Sequence, residues 1–205
     1  MTKTLQIICV FIFSSCSLTN AQQNEQGDYI VLKTGETLYG SVSYINEKAV
    51  NRGFHKKIRL TNAKGKTKKY KRENITMFRV NGVNYQSFWL SQPRQSFPPS
   101  SLVNPRYNID FRNGKLYFLK VISTGKLSHY ELEWFDQGDS QLWSMTLLKK
   151  ANDNYFIRAN QGILGLKKKV LRRYFADCYE LQQSIQNSEI KKVWQVVEAY
   201  NNNCN

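Results

Sequence analysis

The residues best able to do chemistry in this chain are cations, crowded between Lys48 and Arg72: Lys56, Lys57, Arg59, Lys64, Lys66, Lys68, Lys69 and Lys71 all fall there. Ile58 and Leu60 alternate with Lys57, Arg59 and Thr61, and Tyr70 sits between Lys69 and Lys71. A hairpin turning at Lys64-Gly65-Lys66 that buries Ile58, Leu60 and Tyr70 therefore predicts Lys57, Arg59, Lys69 and Lys71 together on the opposite face. Like charges on adjacent strands repel. An anionic polymer would neutralise them and release counterions. The same lysines also suit a solvated sheet edge that resists strand-to-strand aggregation. A reader of single-stranded nucleic acid needs exposed aromatics beside its cations. Only Phe54 and Tyr70 are near, and Tyr70 is assigned to the core, which places nucleic acid behind acidic glycans, lipopolysaccharide and anionic membrane surfaces.

Other groups offer weaker chemistry. His129-x-Glu131-x-Glu133 puts three potential ligands on one strand face, a spacing that can chelate a metal. A two-residue turn at Thr124-Gly125, however, predicts Lys120 opposite His129, Phe118 opposite Glu131 and Leu116 opposite Glu133, so a mixed face and no metal or other cofactor is expected. Asp136-Gln137-Gly138-Asp139 reads as a turn, since it lacks the acidic spacing and distal Glu of a calcium loop. The balance of Asp+Glu 15 against Lys+Arg 30 gives no positive support to a paired-carboxylate hydrolase. A cysteine nucleophile needs a nearby histidine, whereas Cys178 lies on an apolar helical stripe; no catalytic residue is assigned. Trp194 belongs to a second such stripe and is expected to be buried. Trp89, in Ser87-Phe88-Trp89-Leu90, is the aromatic expected at the surface, where it could hold a protein partner.

The compartment follows from the N-terminus. Lys3, an apolar run from Leu5 to Phe13, and small residues ending at Thr19-Asn20-Ala21 form the order of a secretory signal over residues 1–21. About nine apolar residues are too few to span a bilayer, which takes roughly twenty. Processing at Cys16 as a lipoprotein is the rival reading. Cleavage after Ala21 would take the net charge from +15 to +14 and leave Cys178 and Cys204 as the only thiols. A pair of cysteines in an exported chain suggests a disulfide. The charge favours anionic partners outside the cytoplasm and is silent about the fold.

Elements that would position these residues can be read from periodicity. All four prolines lie between Pro93 and Pro105, and the segment 92–105 reads as a loop or linker. Before it, residues 22–91 read as a β-rich, barrel-like unit: a hairpin over Tyr29–Leu32 and Thr37–Tyr44, the basic hairpin, and an Asn81-Gly82 hairpin with a type I′ turn. After it, 106–205 begins with strands at Leu116–Ile122, Leu127–Phe135, Leu142–Leu148 and Tyr155–Ala159, a meander. Leu171, Tyr174, Phe175, Cys178, Leu181 and Ile185 then follow helical spacing, as do Ile190, Val193, Trp194, Val197 and Tyr200. Asp177 with Glu180 could break the first helix. Ser188-Glu189 is expected to cap the second, and Lys167-Lys168-Lys169 to precede the first, because the macrodipole disfavours cations at a helix N-terminus.

The opening Leu32-x-x-Gly35-x-x-Leu38-x-Gly40-x-Val42, the basic hairpin, and the tail Tyr174-Phe175-Ala176-Asp177-Cys178 with Tyr200-Asn201-Asn202-Asn203-Cys204 resemble uncharacterised exported β-rich proteins of the Bacteroidota. The resemblance implies an envelope or secreted location and paired tail cysteines, and it brings no catalytic residues. The opening is also similar to SH3-like and Sm-like small barrels. Together the readings predict an α+β protein, mostly antiparallel β, with a C-terminal helical hairpin. Its expected work is to bind an anionic polymer or membrane surface, with a structural role holding an envelope protein as the alternative and a hydrolase behind both.

Overall fold

The computed structural model describes residues 27–44, 57–92, 106–135, 142–161 and 165–204. Residues 1–21 with Cys16, the prolines, Lys48, Phe54, Lys56 and Asp136–Asp139 lie outside the described residues. The elements run β1 (Tyr29–Leu32), β2 (Thr37–Tyr39), β3 (Ser41–Tyr44), β4 (Lys57–Thr61), β5 (Thr67–Lys71), a 3-10 turn (Arg72–Asn74), β6 (Ile75–Val80) and β7 (Val83–Ser91). They continue as β8 (Arg106–Ile109), β9 (Lys115–Ser123), β10 (Leu127–Phe135), β11 (Leu142–Lys150), β12 (Tyr155–Arg158), then α1 (Lys168–Tyr174), α2 (Tyr179–Gln186) and α3 (Val193–Asn203). The chain is α+β, mostly antiparallel β, with its helices at the C-terminal end.

One nine-stranded sheet runs β2-β1-β6-β7-β8-β12-β11-β10-β9, and β9 pairs again with β7. That second pairing closes six strands, β7 to β12, into a barrel. Closure removes exposed edges, and here it draws on strands from both sides of the 92–105 segment. The meander β9 to β12 is present. What completes the ring is β8, four residues of Arg-Tyr-Asn-Ile that alternate polar and apolar but are too short a run, directly after the proline-rich segment, to stand out by periodicity. Leu90, Tyr107, Leu119, Tyr130, Met145, Leu147 and Phe156 form one core cluster of this barrel. Phe88, Tyr130 and Phe156 meet edge to face at 4.9 to 5.5 Å, the geometry the ring quadrupole favours.

The strands before 92–105 curl over a second core. β1, β6 and β7 supply Ile30, Ile75, Phe78, Val80 and Tyr85 from the large sheet; a separate sheet β3-β4-β5 supplies Val42, Ile58 and Leu60; Phe118 enters from β9. The chain passes from one sheet to the other at Gly40, between β2 and β3. Asp28 fastens the corner, accepting the Gly40 N–H on its carbonyl at 3.1 Å and the Val42 N–H on Oδ2 at 3.2 Å. The Asn81-Gly82 turn has the positive φ at both residues, 49° and 78°, that type I′ requires.

A third core lies between the outer face of the barrel and the helices: Leu127, Leu148, Ile157 and Ala159 meet Leu171, Phe175, Leu181, Ile185, Val196, Val197 and Tyr200. Each fully buried side chain of this size contributes about 1.5–3 kcal/mol relative to exposure. The first apolar stripe is divided between two helices, with the break at Phe175–Cys178. Three local expectations are corrected here. The helix α1 begins inside the lysine run at Lys168, because Lys167 is drawn into partial burial, its N–H donating to the Ala159 carbonyl at 2.9 Å, while Lys168 Nζ reaches Ser188 Oγ. Ser188 does not cap α3; at φ 64° it ends α2, and α3 begins five residues later with the Gln195 side chain accepting the N–H groups of Lys191 and Lys192. Trp194 is 59% exposed, since Val193, Val196, Val197 and Tyr200 already fill the buried face and Trp194 lies on its flank.

The tail residues that carry the resemblance tie this helical layer to the barrel. Tyr174 donates its hydroxyl to Asp153 Oδ2 at 2.6 Å and accepts the Lys150 N–H at 2.8 Å. Lys150 Nζ donates to Asp177 Oδ1 at 2.6 Å and to the Tyr174 carbonyl at 2.9 Å, while Tyr200 donates to Asp177 Oδ2 at 2.7 Å. The same ammonium lies 4.8, 5.6 and 5.2 Å from the ring centres of Tyr174, Phe175 and Tyr200. Burial acts to raise the Asp177 pKa, but the bonds from Lys150 and Tyr200 outweigh it and hold the carboxyl below its ordinary range. Asn201 pairs with both backbone groups of Leu127, and Lys126 Nζ donates to the Cys204 carbonyl at 2.7 Å. Cys178 and Cys204 are disulfide-bonded, their Cα atoms 5.6 Å apart. The motif is thus accounted for by architecture.

The surroundings of His129 predict a fold that loses stability in acid. It is buried, with 8% of its surface exposed, and Nε2 has no hydrogen-bond partner among the described residues. Desolvation lowers its pKa, and the opposing pull of Glu131 is too weak to restore it. A histidine kept neutral in the folded state binds more protons when unfolded, so its contribution is complete above the unfolded pKa of about 6.5 and is lost as pH falls below that value. Unfolding free energy measured in denaturant is expected to fall between pH 7 and 5, by at most about 1.4 kcal/mol per pH unit from this group. His129→Gln is expected to flatten that interval; an unchanged slope would assign the proton uptake elsewhere.

Candidate functional site

The basic hairpin has the register that alternation requires. Lys57 is paired with Lys71, and Arg59 with Lys69, while Ile58 faces Tyr70. Ile58 and Leu60 are buried, so the cationic positions lie on the other face of the sheet. On β3 the partner of Arg59 is Ser43. None of the three strands, Ser-Val-Ser-Tyr, Lys-Ile-Arg-Leu-Thr and Thr-Lys-Lys-Tyr-Lys, contains a carboxylate. Among the described residues, the ion pairs join Lys120 to Glu131 and Glu133, and Lys150 to Asp177; none involves Arg59, Lys69 or Lys71. The Arg59 Nε is buried and has no hydrogen-bond partner among the described residues.

The order β3-β4-β5 separates two explanations of these charges. β5 is the outer strand of its sheet, and lysines there block the addition of another strand. β4 is the central strand. It has a partner on each side, so Lys57 and Arg59 need no such role, and like-charged positions paired across neighbouring strands cost stability.

The basic strand continues into a cleft of about 330 Å³ lined by Leu32, Lys68, Lys69, Tyr70, Lys71 and Asn74. Tyr70 packs against the second core, as the alternation predicts, and Lys68 Nζ lies 5.1 Å from its ring centre. The carbonyl of Asn74, in the cleft lining, accepts the N–H of Lys33, from the turn between β1 and β2, at 2.9 Å. Lys33 Nζ is 5.3 Å from the Phe111 ring centre and 5.9 Å from that of Trp89. Arg72, from the intervening 3-10 turn, donates to the Leu116 carbonyl and lies 6.0 Å from the Phe118 ring.

Trp89 itself is half-buried. The exposed ring is Phe111, at 68%, packed edge to face on Trp89 at 5.2 Å. Sequence reasoning missed Phe111 and Lys33. The signal for Phe111 was present in Asp110-Phe111-Arg112-Asn113-Gly114, a turn sequence that must display its second residue; Lys33 is brought to the aromatic pair only by tertiary packing.

The face holding His129, Glu131 and Glu133 differs from the expected register. Glu131 pairs with Lys120 and His129 with Ser123, shifted by a bulge between His129 and Tyr130. The turn is wider than two residues, which moves Lys120 onto the carboxylates: its Nζ is 3.4 Å from Glu131 and 3.6 Å from Glu133, and Tyr85 donates to Glu133 at 3.2 Å. Among the described residues no group of three His, Cys, Asp or Glu side chains is arranged to hold a metal ion, and no helix is long and apolar enough to cross a membrane. Comparison of the chain with family models, with curated proteins and with solved structures gave no match.

Proposed function

We propose that the chain is a non-enzymatic binding module of the cell envelope or its exterior, which holds an anionic polymer on the face bearing Lys57, Arg59, Lys69 and Lys71. The observation that carries the reading is the position of Lys57 and Arg59 on the central strand β4, opposite Lys71 and Lys69, in a sheet without carboxylates. A row of phosphates or carboxylates supplies the charges this face lacks, and the counterions released on binding provide much of the affinity. Export is supported by the secretory order of residues 1–21 and by the tail disulfide, a bond that persists in oxidising compartments. The succession of strand, bent strand pair, two-stranded hairpin, 3-10 turn and strand from β1 to β6 resembles SH3-like small barrels, which supports a binding scaffold only as analogy.

The test is retention on heparin and lipopolysaccharide resins across a salt gradient. Changing Lys57, Arg59, Lys69 and Lys71 all to Glu is expected to weaken binding at least about 100-fold and to reduce its dependence on salt. The buried side of the hairpin is untouched, and thermal unfolding checks that the variant remains folded. Unchanged retention would sink the proposal. Light scattering and pull-down from an envelope extract separate this from the alternative, because a protein partner that stays bound in high salt would point instead to an apolar surface around Trp89.

A further inference from the structure

We infer that Phe111, supported by Trp89 and accompanied by Lys33, is a subsite that stacks a sugar ring of an acidic polysaccharide, an inference that rests on the anionic-polymer reading above. A charged polymer can be held by cations alone. An exposed aromatic beside them adds selectivity for polymers whose repeating unit offers a flat C–H face together with an anion. Phe111 is such an aromatic, since it packs at a steep angle on Trp89 and 68% of its surface remains open.

The turn that carries Phe111 is tied by its own hydrogen bonds. Asp110 Oδ1 accepts the N–H groups of Arg112 and Asn113 at 3.0 Å each, and the Asp110 carbonyl accepts the Gly114 N–H at 2.9 Å. The Asn113 N–H above all holds the Asp110 carboxyl below its ordinary range, so this clamp persists in mild acid. A Cβ on Gly114 would lie 2.4 Å from the Asp110 oxygen and 2.9 Å from the Leu90 nitrogen, a space only glycine allows. Ordering entropy for this loop is therefore lost on folding and need not be lost again on binding.

The neighbours of Phe111 narrow the ligand class. Lys33 is exposed and within 6 Å of both rings, so a carboxylate or sulfate on the stacked ring would draw its ammonium aside and pair with it. Membrane insertion calls for a broad apolar face, whereas Phe111 is flanked by Asp110, Arg112 and Asn113. Single-stranded nucleic acid uses several rings in succession; the aromatic of the basic hairpin, Tyr70, packs against the second core with Lys68 beside it. One open ring with a lysine ammonium beside it fits a polymer gripped mainly by charge and read at one sugar.

Phe111→Ala in the full chain tests this with two polyanions, oligogalacturonate, which has rings, and inorganic polyphosphate, which has none. The variant is expected to bind oligogalacturonate about tenfold more weakly, the scale of one stacking contact, with polyphosphate binding unchanged and Phe111→Tyr restoring the wild-type value. Equal loss on both polymers, or no loss on oligogalacturonate, would overturn the sugar subsite while leaving the basic face standing. A loss confined to oligo-dT or to phosphatidylglycerol vesicles would overturn it in favour of a base or a lipid surface. If the wild-type chain binds neither polyanion, the anionic-polymer reading itself fails and this inference goes with it.

Discussion

Gly40→Ala is expected to destabilise the protein by about 3 kcal/mol or more, combining backbone strain with overpacking. Gly40 has φ 156°, and a Cβ there would sit 2.4 Å from the Thr61 carbonyl oxygen and 3.1 Å from its carbon. The obstruction is backbone from β4, so no side-chain rotation relieves it. Relief requires β3 to move away from β4, or the corner held by Asp28 to open. Either movement separates Val42 from Ile58 and Leu60 and opens the second core. Because β4 is positioned through its pairing with β3, the same substitution is expected to weaken retention on heparin as well. Denaturant unfolding of the purified variant measures the effect, and a loss below about 1 kcal/mol would show that the corner relaxes more cheaply than its geometry implies.

Removal of the tail cross-link, by changing Cys178 and Cys204 both to Ala, is expected to cost about 3–4 kcal/mol through the entropy regained by the unfolded chain. The two cysteines are 26 residues apart and join the residue before α2 to the residue after α3. Both are buried among apolar neighbours, which is why alanine is the suitable replacement; serine would add the separate cost of an unbonded hydroxyl. Reduction of the wild-type chain with dithiothreitol is expected to reproduce the variant's stability, and wild type and variant should unfold at the same denaturant concentration under reducing conditions. A double variant as stable as the oxidised parent would show that Lys150, Asp177, Tyr200 and Asn201 hold the helices without help from the cross-link.

Much of the local structure was legible. In the basic hairpin, the alternation of Ile58, Leu60 and Tyr70 with charged residues could be satisfied in only one way, because a slip of one position would bury lysines. Asn81-Gly82 tolerates the positive φ of its turn, and the two late cysteines, Cys178 among apolar residues at helical spacing, suggested the tail disulfide. Errors arose where a local rule met a tertiary partner. The macrodipole argued against starting a helix at Lys168, yet Ser188 and the packing of Lys167 outweighed a term worth only about 0.3–1 kcal/mol. Trp194 fitted a helical period but lay to the side of a stripe already filled by valines and Tyr200. A turn wider than the Thr124-Gly125 signal suggested carried Lys120 from the histidine to the two glutamates, and a bulge beside His129 shifted the register once more.

The sequence by itself determined which residues face the core along the basic hairpin and along most of the two helical stripes, because those choices depend on periods of two and 3.6 residues and on burial that any neighbour can supply. It also determined that the four cations of the basic hairpin share a face. Only the tertiary structure decided that β7 and β9 meet to close a barrel, that β4 rather than β5 is central in its sheet, and that Lys33 lies beside Phe111 and Trp89. These are pairings between residues far apart in the chain. They depend on which of several compatible edges and faces come together when three cores pack at once, and no local pattern of residues specifies that choice.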